Sequence, residues 1–204
     1  MRVLAFSDVH GSRGRTAALA EASAKADLVI GAGDFCNMRQ GLGSAMAAFE
    51  GLAAPAILVP GNAESVDELR AAAPWATVLH GDAVTVAGVA ILGIGYGIPV
   101  TPFGAWSCDL TEDFAKAMLD RHGVADILVS HSPPKGHCDR TSAGQSVGSE
   151  AVAQAVARLA PALCLCGHIH DSWGQTSQIG PTRIHNLGPG VTWFDVPARE
   201  SATL

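Results

Sequence analysis

The chain has 204 residues, of which 48% are hydrophobic and 16% charged, and its formal net charge is −6. This apolar content is sufficient for a sizeable core and excludes an extensively disordered chain. The acidic balance argues against broad binding to nucleic acid or to an anionic membrane, whereas a small anionic substrate remains compatible with it, especially beside bound cations. We expect a single domain over residues 1–204.

The five cysteines include no Cys-x-x-Cys pair, so neither a disulfide framework nor a zinc knuckle is predicted. Cys36 is expected to be an ordinary buried thiol. The first apolar run, residues 3–6, is too short for a signal peptide, and no long apolar stretch indicates a transmembrane helix. These features favour the reducing cytoplasm.

Short β-type runs alternate with alanine-rich helical stretches along the chain. The predicted strands are 3–6, 28–30, 56–59, 90–94, 127–129 and 163–166, and the predicted helices are 16–26, 65–73, 111–121 and 150–159. Ser65 and Glu68 are spaced as a capping box, and Thr111 and Ser149 are predicted N-caps. This alternation is typical of an α/β domain with buried, largely parallel strands.

Two regions depart from the alternation and predict mixed sheets. Residues 78–94 are expected to form a hairpin with its turn near Asp82 or Gly88. Residues 173–194 are expected to form a β-meander with turns at 180–181 and 188–190. The loop 132–148 is long, polar and rich in Gly and Pro, as functional loops often are.

Polar side chains that can bind metal ions follow successive predicted strands. They are Asp8, His10, Asp34, Asn62, His131, His168 and His170. The carboxyl ends of strands are where open α/β sheets place their sites, and residues two apart in extended chain point the same way. Oxygen and imidazole ligands together favour manganese, iron, zinc, nickel or cobalt. Four ligands for each of two ions can come from seven residues only if one is shared, and the carboxylate of Asp34 is the natural candidate.

Five motifs in this order resemble the calcineurin-like metallophosphoesterase superfamily, and in particular its compact bacterial and archaeal branch. The motifs are Asp8-Val9-His10, Gly33-Asp34, Gly61-Asn62, Ser130-His131 and Gly167-His168-Ile169-His170. The resemblance implies a four-layer αββα sandwich of two mixed sheets flanked by helices, with the active site at the strand carboxyl ends.

The resemblance also implies a dinuclear metal centre. One divalent ion would take Asp8, His10, Asp34 and His170, and the other would take Asp34, Asn62, His131 and His168. The implied reaction is hydrolysis of a phosphoester by a metal-bridging hydroxide, with Asn62 and His131 beside the phosphoryl group.

The chain departs from the family's best-known pattern directly after Asn62. Those enzymes continue with a His that is expected to protonate the leaving group, whereas this chain has Ala63 and then Glu64. Because alanine carries no transferable proton, we expect phosphodiesters or activated phosphomonoesters as substrates. Glu64 is expected either to act as a base behind the ligands or to favour the next helix N-terminus.

Several further residues are either candidate substrate contacts or expected structural residues. Lys135, His137 and Arg140 in the long loop are candidate contacts to a small phosphorylated substrate. His80, His122 and His185 are expected to be structural, and the four tryptophans are expected to pack in cores or at sheet edges. The glycines at 41–43 lack a preceding strand and are not taken as a dinucleotide site. The alternative function is a protein-binding scaffold with this fold and little activity.

Overall fold

A computed structural model describes residues 1–197, and residues 198–204 of the predicted domain lie outside the described residues. In chain order the strands are β1 (Arg2–Phe6), β2 (Leu28–Gly31), β3 (Ala56–Leu58), β4 (Thr77–Val78), β5 (Asp82–Val86), β6 (Val89–Ile94), β7 (Ile127–Ser130), β8 (Leu163–Cys166), β9 (Thr176–Ile179), β10 (Thr182–Asn186) and β11 (Thr192–Asp195). The helices are α1 (Arg13–Ser23), α2 (Leu42–Ala47), α3 (Val66–Ala72), α4 (Glu112–Leu119) and α5 (Glu150–Leu159).

The strands form two mixed sheets. The first has the order β11-β1-β2-β3-β4, in which only β11 runs antiparallel to its neighbour. The second has the order β5-β6-β7-β8-β10-β9, with a parallel centre and an antiparallel strand at each edge. The fold is therefore the predicted sandwich of two mixed sheets flanked by helices.

Alternation along the strands explains why they are buried on both faces. In β1, Val3 and Ala5 belong to the core between the two sheets, whereas Leu4 and Phe6 pack in the core beneath the helices α1 to α3. Successive side chains point to opposite faces of a strand, so an uninterrupted apolar run can fill two cores at once. A third core lies between the second sheet and the helices α4 and α5.

The helix boundaries follow the predicted caps. Ser65 and Glu68 form the capping box of α3, and the side chains of Thr111 and Ser149 accept hydrogen bonds from the first turns of α4 and α5. Helix α1 begins and ends three residues before its predicted bounds. Helix α2 was not predicted, and its N-cap is Gly41, within the glycine motif that was rejected as a dinucleotide site.

Two predicted strand arrangements need correction. The hairpin lies between β5 and β6, with its turn at Ala87-Gly88, because Thr77 and Val78 pair with β3 in the other sheet. The predicted meander over 173–194 is wrong. Strands β9 and β10 do form a hairpin around Gly180, but β11 crosses to the first sheet and pairs with β1.

No helix within residues 1–197 combines the length and the apolar character that crossing a membrane requires. All five cysteines are buried and free, in agreement with the absence of a predicted disulfide framework.

Candidate metal centre

The predicted ligands come from both sheets and meet at the carboxyl ends of the strands. Asp8 and His10 follow β1, and Asp34 follows β2, while His131 follows β7 and His168 follows β8. Because the two sheets stack with these edges on the same side, residues from the two ends of the chain reach one region. This is the edge where ligands bind in α/β sheets.

Six of the seven predicted ligands form two adjacent groups. One consists of Asp8, His10 and His170, and the other of Asp34, His131 and His168. Within each group, the atoms that could bind an ion lie within 4.8 Å of one another. The seventh residue, Asn62, places its Oδ1 atom 3.2 Å from His131 Nε2 and so adjoins the second group.

The carboxylate of Asp34 lies between the two groups. Its Oδ2 atom is 3.7 Å from His10 Nε2, and its Oδ1 atom is 3.4 Å from His131 Nε2. Each oxygen therefore faces a different group, which is the geometry that a bridging carboxylate requires.

Backbone contacts orient the imidazole rings. The Nδ1 atom of His10 lies 3.0 Å from the carbonyl oxygen of Cys36, and that of His131 lies 2.8 Å from the carbonyl oxygen of Ala32. An Nδ1–H that donates to a carbonyl leaves the Nε2 lone pair free, as in histidines that bind metal ions.

The arrangement of nitrogen atoms fits a cation. His10 Nε2 lies 3.2 Å from His170 Nε2, and His170 Nε2 lies 3.8 Å from Asp8 Oδ1. Two imidazole nitrogen atoms at this distance share either a proton or a positive ion, because two facing lone pairs would repel. The donor set of nitrogen and carboxylate oxygen is one that divalent transition metals accept.

Burial and charge shift the pKa values of the candidate ligands in different directions. Burial opposes ionisation of Asp34, but the charge of His131 and its hydrogen bond outweigh this and hold the pKa of the carboxyl below its usual value. Burial lowers the pKa of His168 to about 3, and the neighbouring His131 charge adds to this effect. Asp34 is thus an anion and His168 a neutral imidazole at physiological pH.

The backbone is strained where it presents the ligands. Asp8, His10, Asp34 and His168 all have positive φ, between 49° and 67°. Residues with a side chain seldom adopt this conformation, and it persists at sites where the surroundings enforce it. Gly33 allows the close packing beside them, since a Cβ atom there would lie 2.6 Å from both Gly61 Cα and His131 Nδ1.

Trp173 was expected to pack in a core or at a sheet edge, but it holds a candidate ligand. Its indole Nε1–H donates to Asp8 Oδ2 at 3.1 Å, and the backbone N–H of His168 donates to the same carboxylate at 3.1 Å. The Trp173 ring also lies 4.2 Å from the ring of His170, centroid to centroid. Such outer contacts fix ligand orientation. The sequence carried no signal for this contact, which joins residues 165 positions apart.

Glu64 has a positioning role that differs from both predicted ones. Its buried carboxylate accepts hydrogen bonds from the backbone N–H groups of Asp34 at 2.9 Å, Gly61 at 2.7 Å and Phe35 at 3.1 Å. It precedes α3, and the acidic residues in the first turn of that helix are Asp67 and Glu68. Glu64 therefore ties the loop after β2 to the loop after β3. Burial, and then the charge of Asp34, raise its pKa to about 7.

Ala63 and Cys36 line the same junction. Ala63 is 1% exposed, so its methyl group faces the protein interior. Cys36 donates from Sγ to the Ala63 carbonyl oxygen, and burial together with the charge of Glu64 raises the pKa of its thiol above the usual value. Cys36 is accordingly a buried, protonated thiol, as expected.

A cleft of about 320 Å³ opens onto the centre. Candidate ligands form its floor, and its walls carry two aromatic rings, of Phe103 and Trp106, together with Thr141 and Asp171. Neither ring was predicted at the site, and Trp106 was expected in a core or at a sheet edge. A second cleft of about 710 Å³ lies beside α1 and α2 and also reaches His10.

The three predicted substrate contacts have protein partners away from this cleft. Lys135 donates to the Ser146 carbonyl oxygen at 2.8 Å, and Arg140 donates to the Gly144 carbonyl oxygen at 2.9 Å. His137 Nδ1 lies 2.7 Å from Ser177 Oγ. Of the loop 132–148, Thr141 is the described residue that lines the cleft.

The other histidines make structural contacts. His80 accepts a hydrogen bond from the backbone N–H of Gly95 at 3.1 Å, and His122 Nε2 lies 3.0 Å from the Gly81 carbonyl oxygen. The ring of His185 packs edge-on against Phe194.

The chain resembles several solved structures over most of its length. A protein from Thermus thermophilus superposes with a TM-score of 0.72 at 16% identity, covering 92% of this chain and 88% of that one. A dimetal phosphatase from Danio rerio gives 0.62 at 12% identity, covering 93% and 88%. A purple acid phosphatase from yellow lupin (Lupinus luteus) seeds gives 0.59 at 14% identity, covering 94% of this chain and 44% of that one. At these identities the likeness concerns the fold.

Sequence comparison gives the family. A UPF0046 protein of Caenorhabditis elegans is 32% identical over 97 residues, which are 45% of this chain and 24% of that protein. The match thus spans about a quarter of that relative's length. The family model described as calcineurin-like phosphoesterase matches residues 1–172, which include all seven candidate ligands. The chain therefore belongs to the calcineurin-like phosphoesterase family.

Proposed function

We propose that this protein is a dinuclear metal-dependent phosphoesterase that hydrolyses phosphodiesters or activated phosphomonoesters. The observation that carries the proposal is the pair of ligand groups joined by Asp34, with one carboxylate oxygen 3.7 Å from His10 Nε2 and the other 3.4 Å from His131 Nε2. The family supports phosphoester hydrolysis in general, and the ligand chemistry supports manganese, iron, zinc, nickel or cobalt.

Each ligand group would hold one divalent ion. The first ion would be held by Asp8, His10, Asp34 and His170, and the second by Asp34, Asn62, His131 and His168. When bound, the two ions supply a water of lowered pKa as nucleophile and positive charge for the phosphoryl oxygens.

The chain positions these groups before substrate arrives. Asn62 donates from Nδ2 to Ser107 Oγ at 3.1 Å, which directs its Oδ1 atom toward His131 and the centre. His131 is fully buried and held at Nδ1 by the Ala32 carbonyl oxygen. In a site that excludes water, such fixed groups stabilise developing charge without reorganisation.

The position after Asn62 bears on the substrate. Ala63 offers no proton to a leaving group, so esters whose alcohols leave as stable anions should react best. The two clefts that meet at His10 support a substrate with two ester arms, since each arm would have a place beside the centre. Both features favour a diester over an alkyl monoester.

The remaining expectations are carried as part of the proposal. The substrate would be a small phosphorylated molecule, and a net charge of −6 disfavours nucleic acid and anionic membranes as partners. Five free cysteines suit the cytoplasm. The protein-binding scaffold is the less favoured alternative, because all seven ligand positions are filled.

The test compares hydrolysis of bis-p-nitrophenyl phosphate with that of p-nitrophenyl phosphate by purified protein loaded with manganese. We expect the diester to be hydrolysed, and we expect Asp34→Asn to reduce its rate by at least about 100-fold, because a shared ligand of both ions is lost. Asp113→Asn, which alters an exposed aspartate at the start of α4, is the matched control and should leave the rate unchanged. A wild-type protein that binds manganese but hydrolyses neither ester would contradict the proposal.

A further inference from the structure

Two aromatic side chains stack at the wall of the cleft over the candidate metal centre. The rings of Phe103 and Trp106 are nearly parallel, with an interplanar angle of 12° and centroids 5.6 Å apart. Phe103 is 50% exposed, although burial of an aromatic ring ordinarily stabilises a fold. We call these two residues the aromatic platform. Trp106 is partly buried beside it. A partly exposed pair of flat rings beside a site offers a surface for a ligand with a flat apolar group.

The platform adjoins the ligands. The ring of Phe103 lies 6.4 Å from the ring of His168, centroid to centroid, and both residues line the same cleft. If the phosphoryl group of a substrate lies at the centre, the alcohol portion of the ester would therefore lie against the platform.

The loop that carries the platform is fixed to the centre. Ser107 accepts a hydrogen bond from Asn62 Nδ2 at 3.1 Å, and the backbone N–H of Cys108 donates to the Asn62 carbonyl oxygen at 2.9 Å. Thr101 and Ser107 both donate to Asp109, at 3.0 and 2.9 Å. The rings themselves take no part in these bonds. The platform is thus held in place by polar contacts, while its rings remain available for a ligand.

The other residues that line the cleft restrict which apolar groups can bind there. Besides the platform, Ile169 is the one aliphatic residue among the described residues that line the cleft. An acyl chain would need a longer aliphatic groove, whereas a planar ring needs only a flat face on which to stack. None of the described lining residues is Lys or Arg, and Asp171 lies at the rim. The group on the platform is therefore uncharged or cationic rather than a second phosphate.

We propose that Phe103 and Trp106 bind, by stacking, a planar aromatic ring in the alcohol portion of the phosphoester substrate. A nucleobase and a simple aryl group share this chemistry. The inference deepens the proposed function and rests on it, because it assumes a phosphoryl group at the metal centre. It assigns the selectivity for the substrate's organic portion to a loop that none of the ligand motifs includes.

The test measures binding to the manganese-loaded protein by calorimetry for four probes: adenosine 5′-monophosphate, phenyl phosphate, ribose 5-phosphate and inorganic phosphate. We expect the two aromatic probes to bind about tenfold more tightly than ribose 5-phosphate, since stacking on an aromatic side chain contributes roughly this factor. Equal affinity of the two aromatic probes would indicate a ring of any kind, and tighter binding of the adenosine probe would indicate a nucleobase.

Variants locate the effect. Trp106→Ala and Phe103→Ala should each abolish the preference for aromatic probes and leave the affinity for inorganic phosphate unchanged, and Trp106→Phe should retain most of the preference. Phe114→Ala, which removes a ring that is 68% exposed on α4, is the matched control and should change nothing. Quenching of tryptophan fluorescence by the adenosine probe should be weaker in Trp106→Phe than in the wild type.

Two results would overturn the inference. One is equal affinity of the wild-type protein for ribose 5-phosphate and the aromatic probes. The other is a loss in the platform variants that is the same for inorganic phosphate as for the aromatic probes, which would indicate a general disturbance of the centre. Either result leaves the proposed function standing if inorganic phosphate binds and the diester is hydrolysed. If the protein neither binds inorganic phosphate nor hydrolyses the diester, the proposed function is refuted together with the role of the platform.

Discussion

The Nε2 atoms of His10 and His170 lie 3.2 Å apart, although 160 positions separate the two residues in the chain. His10 follows the first strand of one sheet, and His170 follows the eighth strand, in the other. This contact forms only when the two sheets are stacked. The unfolded chain therefore offers no comparable site for an ion, and binding is linked to folding.

The first prediction concerns metal binding and thermal stability. Manganese should raise the melting temperature of the protein, because an ion that binds only the folded state stabilises it by an amount that grows with its concentration, about 4 kcal/mol at 1,000 times Kd. A chelator should reverse the increase. Differential scanning calorimetry measures both effects. Asp34→Asn should show little increase, and an increase equal to that of the wild type would contradict the assignment of Asp34 as a shared ligand.

The second prediction concerns Trp173, whose indole Nε1–H donates to Asp8 Oδ2 at 3.1 Å. Trp173→Phe keeps an aromatic ring beside His170 but removes the hydrogen bond. We expect manganese affinity to fall by about 10–100-fold, as is usual when a group that orients a ligand is lost. Titration of metal-free protein measures this. The control is Trp193→Phe, because Trp193 lies in β11 and its ring packs against Arg2, away from the centre. Equal manganese affinities of the two variants would refute the positioning role of Trp173.

The third prediction concerns Glu64, which joins the loops after β2 and β3 through backbone N–H groups. In Glu64→Gln an NH₂ group replaces one acceptor oxygen and faces backbone donors. The free energy of unfolding should fall by about 1–3 kcal/mol, the cost of leaving buried polar groups unsatisfied. Chemical denaturation of metal-free protein measures the change. The exposed Glu21 provides the control Glu21→Gln, and equal stability of both variants would contradict this account.

The fourth prediction concerns pH. Burial lowers the pKa of His80 to about 4, with a further contribution from the charge of Arg70. A folded-state pKa below the unfolded value of about 6.5 means that protonation favours unfolding. The contribution of His80 to stability is thus complete above pH 6.5 and is lost as the pH falls toward 4. Denaturation curves across this window should show a shallower loss in His80→Asn, which keeps an acceptor for the Gly95 N–H but does not titrate. An unchanged slope would contradict the assignment.

The sequence was sufficient to predict which candidate ligands would come together, because each lies within a few residues of the end of a strand. Strand ends can be recognised from local patterns, and parallel strands place their carboxyl ends at one edge, so Asp8 and Asp34 could be grouped without knowledge of how the two sheets pack. The capping box at Ser65 was recognisable for the same reason, since its partner Glu68 is three residues away.

Features that depend on distant pairs were missed. Strand β11 was expected to continue a meander, but its partner is β1, at the other end of the chain. Trp173 and Trp106 were predicted to pack in cores or at sheet edges because tryptophan is mostly buried. Only the packing of the two sheets brings them to the centre. The predicted roles of Lys135 and Arg140 rested on their charge and their place in the long loop, but their side chains bond to carbonyl groups of that loop.

The most direct test of the central claim is the metal content of the protein after reconstitution with manganese and removal of free ions, measured by mass spectrometry of the elements. The account predicts about two ions per chain, as two adjacent ligand groups require. It predicts fewer in His10→Asn and in His168→Asn, each of which damages one group. A wild-type protein that retains no manganese, iron, zinc, nickel or cobalt, or one whose metal content is unaffected by either substitution, would contradict it.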